Sequence, residues 1–371
     1  TALQLTAPIV SAKRPPLIPR ERADPICRGL IPFPRTNPES KVFAQPTSPY
    51  PKPVPRFVDR APEQELRETA RRIWPHGVLP SEYASWYCEM FARSVLSDRT
   101  FVYFQPAVSL RNDEVHVSGA TNVALLRDTM SSALHCVGVE RVVNEMRLLP
   151  EEGTLGQARF GICTSSMALT YAEPSESAGM RSQLLEGEPL YLLDRDAGFL
   201  LVHGHDGYWG WVRESSVKTL SDSYAGQRSF SELQREPSSG SEGAAKRVAA
   251  ALELLHVPYV FGGVSPIGLD CSGLVQRVFG RSGIVMARDA AQQFVIGELV
   301  ATRWHRESIE AGDLLFFINR CGRIFHVGIA ISPKHFVHSG PPEVKINSLD
   351  PDDPHYAPDR AETFLAARRL M

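Results

Sequence analysis

The chain has 371 residues, with 40 Lys and Arg against 42 Asp and Glu, a formal net charge of -2 and 43% hydrophobic residues. This length suits two or three domains, and charges of both signs are interspersed with no basic stripe, so nucleic acid is not an expected partner. No apolar run approaches the roughly 18 to 20 residues of a membrane span, and six dispersed cysteines with no CxxC or CxxH pair predict neither a disulfide scaffold nor a metal or other cofactor.

Residues 1–60 hold a dense scatter of prolines, among them Pro15, Pro16, Pro51, Pro53 and Pro55, which disfavours helix and sheet interiors and predicts an extended arm anchored by Ile31, Phe33, Val42 and Phe43. Thr1–Val10 lacks the basic start and continuous apolar stretch of a secretory signal. The expected location is therefore cytoplasmic, with the cell envelope as the alternative if a leader was removed ahead of Thr1. Over 61–100, Leu66, Ala70 and Ile73, then Tyr83, Trp86, Tyr87, Met90 and Phe91, repeat at helical spacing and predict a helical segment whose aromatic stripe is core packing.

From 101 the pattern changes to short β-like runs such as "FVYF", "VHVSG", "NVALL" and "PLYLL". The stretch Thr164–Val217, ending in "HDGYWGWV", resembles a bacterial SH3-like domain at Gly207, Tyr208, Gly210 and Trp211. A small β-barrel is thus expected over 163–220, with a more divergent SH3-like β domain over 101–162. Residues 221–241, rich in Ser, Gly, Glu and Gln, read as a linker. The last domain, 242–371, opens with a helix whose apolar face is Ala245, Val248, Ala249, Leu252 and Leu255, and continues as α+β with an antiparallel sheet packed on helices.

In "GLDCSGLVQRVFG", Leu274, Val275, Val278 and Phe279 repeat at helical spacing, so Cys271 falls in the first turn of a buried helix. There, free backbone N–H groups and the helix dipole favour a thiolate and predict a lowered thiol pKa; a small buried core cysteine is the alternative. A nucleophilic cysteine needs a base and a group to orient it. His326 and His338, twelve residues apart in "HVGIAIS" and "FVHSG", fall on consecutive strands that a hairpin can bring together.

The ordered pieces "VPYVFGG", "LDCSGLVQ", "RDAAQQ", "AGDLLFF", "HVGIAI" and "FVHSG" resemble the NlpC family of papain-like cell-wall cysteine peptidases. The resemblance implies an α+β, papain-like fold for 242–371. It also implies Cys271 as nucleophile, His326 as general base, His338 as the orienting residue, and Tyr259, twelve residues before Cys271, as an aid to the oxyanion. SH3-like units ahead of such a domain resemble the γ-D-glutamyl-L-diamino acid dipeptidyl-peptidases. These cleave peptidoglycan-derived peptides with a free N-terminal L-Ala, before Lys or diaminopimelate. On that resemblance Asp270, Ser272, Arg288 and Asp289 bind substrate, with Asp270 meeting its ammonium. Asp270 as a plain helix cap and Arg288–Asp289 as a solvated ion pair stay open. So do an endopeptidase anchored on intact wall peptides and a silent binding module. Phe261 and Ala290 depart from the subgroup's usual Trp and hydroxyl residue.

Overall fold

The computed structural model describes residues 62–96, 98–220 and 241–370. The expected arm over 1–60 and the expected linker, except Ser241, lie outside the described residues. No helix among the described residues is long and apolar enough to cross a membrane.

The first unit begins with helices Pro62–Ile73 and Ala84–Val95. Strand Phe104–Arg111 then pairs antiparallel with Glu114–Thr121 in unbroken register, from Phe104↔Thr121 to Arg111↔Glu114. The next strands, Val142–Asn144 and Arg147–Leu148, both pair with Glu114–Thr121 in parallel. A parallel return needs a crossover, and helix Ala124–His135 supplies it.

The helical segment expected over 61–100 and the β domain expected over 101–162 share one core here. Tyr87 and Phe91, Val115 and Val117, and Met130 and Leu134 occupy one core drawn from helices and strands alike. The helical period of Leu126, Met130, Ala133 and Leu134 prevails over the short apolar run that begins it.

The second unit is a seven-stranded sheet, antiparallel throughout. Its order is Val217–Leu220, Phe160–Cys163, Pro189–Asp196, Phe199–His203, Trp209–Arg213, Met167–Tyr171 and Met180–Leu185. Cys163 near one end and Leu184 on the other pack into one cluster with Leu192, Leu200 and Val212, so the sheet curls around a small core. Gly210 lies in the turn-and-strand motif because a Cβ there would meet the Thr170 side chain at 2.7 Å.

The third unit is a six-stranded antiparallel sheet in the order Glu298–Thr302, Phe364–Arg369, Leu314–Ile318, Ile324–Ala330, His335–Gly340 and Glu343–Ser348. Its two faces are read directly from the period of two. Leu314, Phe316, Val327 and Ile329 pack with helices Ser241–Leu252 and Cys271–Gly280, while Leu315, Phe317, Ala330 and Phe336 form a second layer with Phe364 and Leu349. The first helix presents a different face from the expected one. Arg247, Ala250, Ala251 and Leu254 are buried while Leu252 is exposed. Alanines on both sides of that helix hid the choice, and the Arg247 guanidinium, 5.0 Å from the Phe279 ring centroid, sits inward among apolar groups.

Side chains and backbone of the second and third units interlock. Gln183 Oε1 accepts from the N–H groups of Val264 and Ser265 at 3.0 and 3.1 Å, and Gln276 Nε2 donates to Asp206 at 3.0 Å. Gly273, in the first turn of the Cys271 helix, has little room, because a Cβ there would lie 2.0 Å from the Gly263 carbonyl oxygen. Gly273→Ala therefore forces backbone apart and is expected to destabilise the chain by about 1–3 kcal/mol, read as a lower urea midpoint at unchanged slope.

Candidate active site

Asp270 N-caps the helix Cys271–Gly280, its Oδ1 accepting from the Gly273 N–H at 2.7 Å. Its Oδ2 accepts from the Gly262 N–H at 2.8 Å. Gly262 has φ +76°, a left-handed conformation suited to glycine, and the turn it makes aims this N–H back at the carboxylate. Arg288 completes the coordination, donating from Nη1 to Oδ1 at 3.1 Å and from Nη2 to Oδ2 at 2.5 Å. It also donates to Ser272 Oγ at 2.9 Å and, across the domain boundary, to Ser182 Oγ at 2.9 Å. Asp270, Ser272 and Arg288 are all buried. Burial works against the Arg288 charge, but the Asp270 carboxylate beside it outweighs burial and holds the guanidinium firmly protonated.

The structure thus gathers Asp270, Ser272 and Arg288 into one network, with Arg288 paired to Asp270. Asp289 caps the short helix Ala290–Gln293 through a reciprocal box with Gln292. Burial raises the pKa of Asp289, and the charges acting on it include Arg288, Asp98, Asp270 and Arg181. The first unit reaches the Asp289 helix through Asp98 and Thr100, both hydrogen-bonded to Gln292 Nε2. The Arg181 guanidinium lies 3.7 Å from the Trp209 ring centroid and 4.8 Å from that of Tyr208. Asp98 and Arg181 were not singled out in the sequence because only folding brings their strands and loops to Asp289.

Cys271 begins its helix beside the sheet, its thiol within reach of the backbone N–H groups of Val327 and Ser272. Contrary to the expected thiolate, burial pushes the Cys271 pKa up to about 11, and the Asp270 carboxylate adds to the rise. The two N–H groups and Arg288 pull the other way without reversing it. Helix-terminal stabilisation is worth ordinarily about 0.3–1 kcal/mol, too little to balance removal of a charge from water.

His326 precedes Val327 on its strand, and the adjacent strand, paired through Ile329↔Val337 and Ala330↔Phe336, carries His338. His326 Nε2 and His338 Nδ1 are 2.8 Å apart, and His338 Nε2 is 2.8 Å from Asn347 Oδ1. Asn347 Nδ2 donates to the His355 carbonyl at 3.2 Å, which fixes the amide with its oxygen toward His338. The protons then follow: His338 Nε2–H donates to Asn347, His326 Nε2–H donates to His338 Nδ1, and His326 Nδ1 keeps its lone pair. Both rings are buried. Burial carries the His326 pKa well below its ordinary value, helped by His338, Arg360 and Lys345. His338 falls to about 4 through burial, partly opposed by the Asn347 hydrogen bond.

Asn347 was missed in the sequence. Its signal is the period of two across the hairpin, where His338 faces Lys345 and Phe336 faces Asn347, so that Asn347 is the diagonal neighbour of His338 on one face. Tyr259 is set beside the site by its backbone, donating to the Pro342 carbonyl at 2.9 Å and bridging to Leu269, two residues before Cys271.

Among known proteins, residues 256–360 match the NlpC/P60 family and residues 170–217 match the bacterial dipeptidyl-peptidase Sh3 domain. Over 128 residues the chain is 37% identical to Dipeptidyl-peptidase 6 of Lysinibacillus sphaericus, covering 33% of this chain and 43% of that protein. Over 214 residues it is 25% identical to Gamma-D-glutamyl-L-lysine dipeptidyl-peptidase of Bacillus cereus, covering 57% of this chain and 58% of that one. The match thus spans less than two thirds of either relative. A crystal structure of an NlpC/P60 family protein from Bacillus cereus aligns with a TM-score of 0.33 at 25% identity, covering 58% of this chain and 64% of that one.

The neutral thiol has a direct readout. Alkylation of Cys271 by iodoacetamide, followed by mass spectrometry of its peptide, is expected to be slow at pH 8 and to accelerate toward pH 11, the thiolate fraction rising with pH. A half-maximal rate below pH 8 would indicate a preformed thiolate–imidazolium pair.

Proposed function

Since the chain carries an NlpC/P60 domain behind a bacterial dipeptidyl-peptidase Sh3 domain, we propose that it is a cysteine peptidase. Its substrates in this proposal are peptidoglycan-derived peptides with a free N-terminal L-Ala, cut at the γ-D-glutamyl–diamino acid bond. The hydrogen-bond chain Asn347–His338–His326, ending with an unprotonated Nδ1 on the residue that precedes Val327 at the Cys271 thiol, carries this reading.

In the proposed reaction His326 Nδ1 takes the thiol proton as Sγ attacks the γ-carbonyl carbon of D-Glu. The Cys271 N–H and the Tyr259 hydroxyl receive the developing oxyanion. The imidazolium then passes its proton to the leaving α-amine, the C–N bond breaks, and a thioester remains. Water, deprotonated by the same imidazole, hydrolyses it. Because thiol and imidazole both begin neutral, proton transfer accompanies attack. At the other end of the site, Asp289 attracts the substrate ammonium, while Asp270, its oxygens taken up by Gly262, Gly273, Ser272 and Arg288, orients the first turn of the Cys271 helix. The resemblance of 170–217 to a dipeptidyl-peptidase Sh3 domain, and the bonds that tie that unit to Arg288, Val264 and Gln276, support a peptidase whose barrel borders the cleft.

Turnover of L-Ala-γ-D-Glu-L-Lys is expected to vanish in Cys271→Ala, to fall by roughly 10²–10⁴ in kcat in His326→Ala, and to fall by about 10²–10³ in Tyr259→Phe. N-acetylating the L-Ala should abolish cleavage; unchanged turnover would rule out recognition of the free amine.

A pH profile tests the histidine. His326 acts as base only when neutral, so activity is lost as pH falls through its pKa. With that pKa held far below the ordinary value of about 6.5, kcat/KM is expected to stay level through pH 6.5 and to decline only in more acid solution.

A further inference from the structure

Arg360, on the short helix Pro358–Thr363, has a half-buried guanidinium with no hydrogen bond or ion pair to any described residue. Several other cations set into this fold pair with a carboxylate, Arg288 with Asp270, Arg369 with Asp313 and Arg147 with Asp194, while Arg247 and Arg277, like Arg360, pair with none among the described residues. Arg360 rests instead on two aromatic rings, its Cζ 5.5 Å from the Phe325 centroid and 5.9 Å from that of Phe317. The same rings flank His326, at centroid distances of 6.0 and 5.5 Å. On the other side, Arg360 Nη2 and His338 Cε1 approach a single point above Gly340, at 3.8 and 3.2 Å from it. Its charge acts on the Cys271 thiol and on Tyr259, and is felt by both His326 and His338.

The charges around the cleft are unequally shared. At the Asp270 end, carboxylates alternate with Arg288 and Arg181. At the histidine end, the charged groups acting on His326 and His338 are Arg360 and Lys345, and Asp359 is the carboxylate whose charge acts on Arg360 without hydrogen-bonding it. Lys345 Nζ is turned away to the Pro341 carbonyl, 2.9 Å distant. Arg360 is left as the cation facing the reacting atoms. A guanidinium offers five donors in a planar fork and accepts nothing, so its complement is a carboxylate.

The side of the scissile bond follows from the reaction proposed above, on which this inference rests. The base that returns a proton to the leaving amine must lie beside that amine, so the leaving residue occupies the His326 side of Cys271. We propose that Arg360 is the carboxylate subsite for the leaving diamino acid. It favours a residue that brings a carboxylate over one that brings only an ε-ammonium, which the same cation repels. The carboxylate has two sources, the α-carboxylate of a peptide that ends at the diamino acid and the side-chain carboxylate of diaminopimelate.

The test compares the unmodified chain with Arg360→Gln and Arg360→Lys on L-Ala-γ-D-Glu-L-Lys, on its diaminopimelate counterpart, and on each with the leaving residue's carboxylates amidated. Arg360→Gln is expected to lower kcat/KM for the carboxylate-bearing peptides about tenfold relative to the amidated ones, chiefly through KM, with Arg360→Lys restoring part of the ratio. A ratio that follows the α-carboxylate assigns the subsite to the peptide end; one that follows the side chain assigns it to diaminopimelate. An equal loss on every peptide, or none, overturns the proposal. The same peptides titrated calorimetrically into Cys271→Ala, with and without Arg360→Gln, report the subsite without turnover. A preference for carboxylate that disappears with Arg360 supports it even if the unmodified chain hydrolyses none of the peptides, an outcome that would defeat the peptidase reading alone. Absence of that preference overturns it.

Discussion

The buried pair between Asp270 and Arg288 is the contact on which the site's geometry depends. One carboxylate caps the Cys271 helix, closes the Gly262 turn that follows Tyr259, and receives both terminal nitrogens of Arg288, whose Nε reaches the Ser182 hydroxyl of the neighbouring barrel. Three segments and a second domain are thereby located relative to Cys271 by a single side chain. Such a pair is not a large source of net stability, since two charges have left water to make it. Its value is positional. Every lone pair of Asp270 has a defined donor, so the first turn of the helix has one direction.

Burial does more than locate these groups; it also sets their protons. A helix N-terminus alone would favour a thiolate at Cys271, yet desolvation takes the thiol the other way, and the same desolvation keeps His326 and His338 neutral. A neutral pair needs its tautomer specified, and here Asn347 does this from two hydrogen bonds away. With its amide turned by the His355 carbonyl, it orders the protons of both imidazoles and leaves the lone pair of His326 on Nδ1.

Much of this was legible before folding. The 3.6 period after Asp270 marks the helix Cys271–Gly280, and the matched spacings from Tyr259 to Cys271 and from His326 to His338 pick out the residues that the fold gathers. Short signals failed where two structures share them. The apolar run before Leu126 reads as a strand until the parallel pairing of Val142–Asn144 with Glu114–Thr121 demands a crossover, which makes it the start of a helix. The helix Ser241–Leu252 has alanines on both sides, and hydrophobicity alone chose the wrong face.

The sequence by itself determined the kinds of group present and their order: a capped helix beginning at Cys271, two histidines on successive strands, and a barrel motif around Trp211. Those features rest on local periodicity and turn chemistry, which neighbouring residues carry. Tertiary structure alone decided that Arg288 pairs with Asp270 and not with Asp289, that Asn347 ends the imidazole chain, that Arg360 lies beside the histidines with no carboxylate hydrogen-bonded to it among the described residues, and that burial raises the thiol pKa. Each of these depends on which distant groups share a space from which water has been removed, and desolvation is a property of the assembled fold.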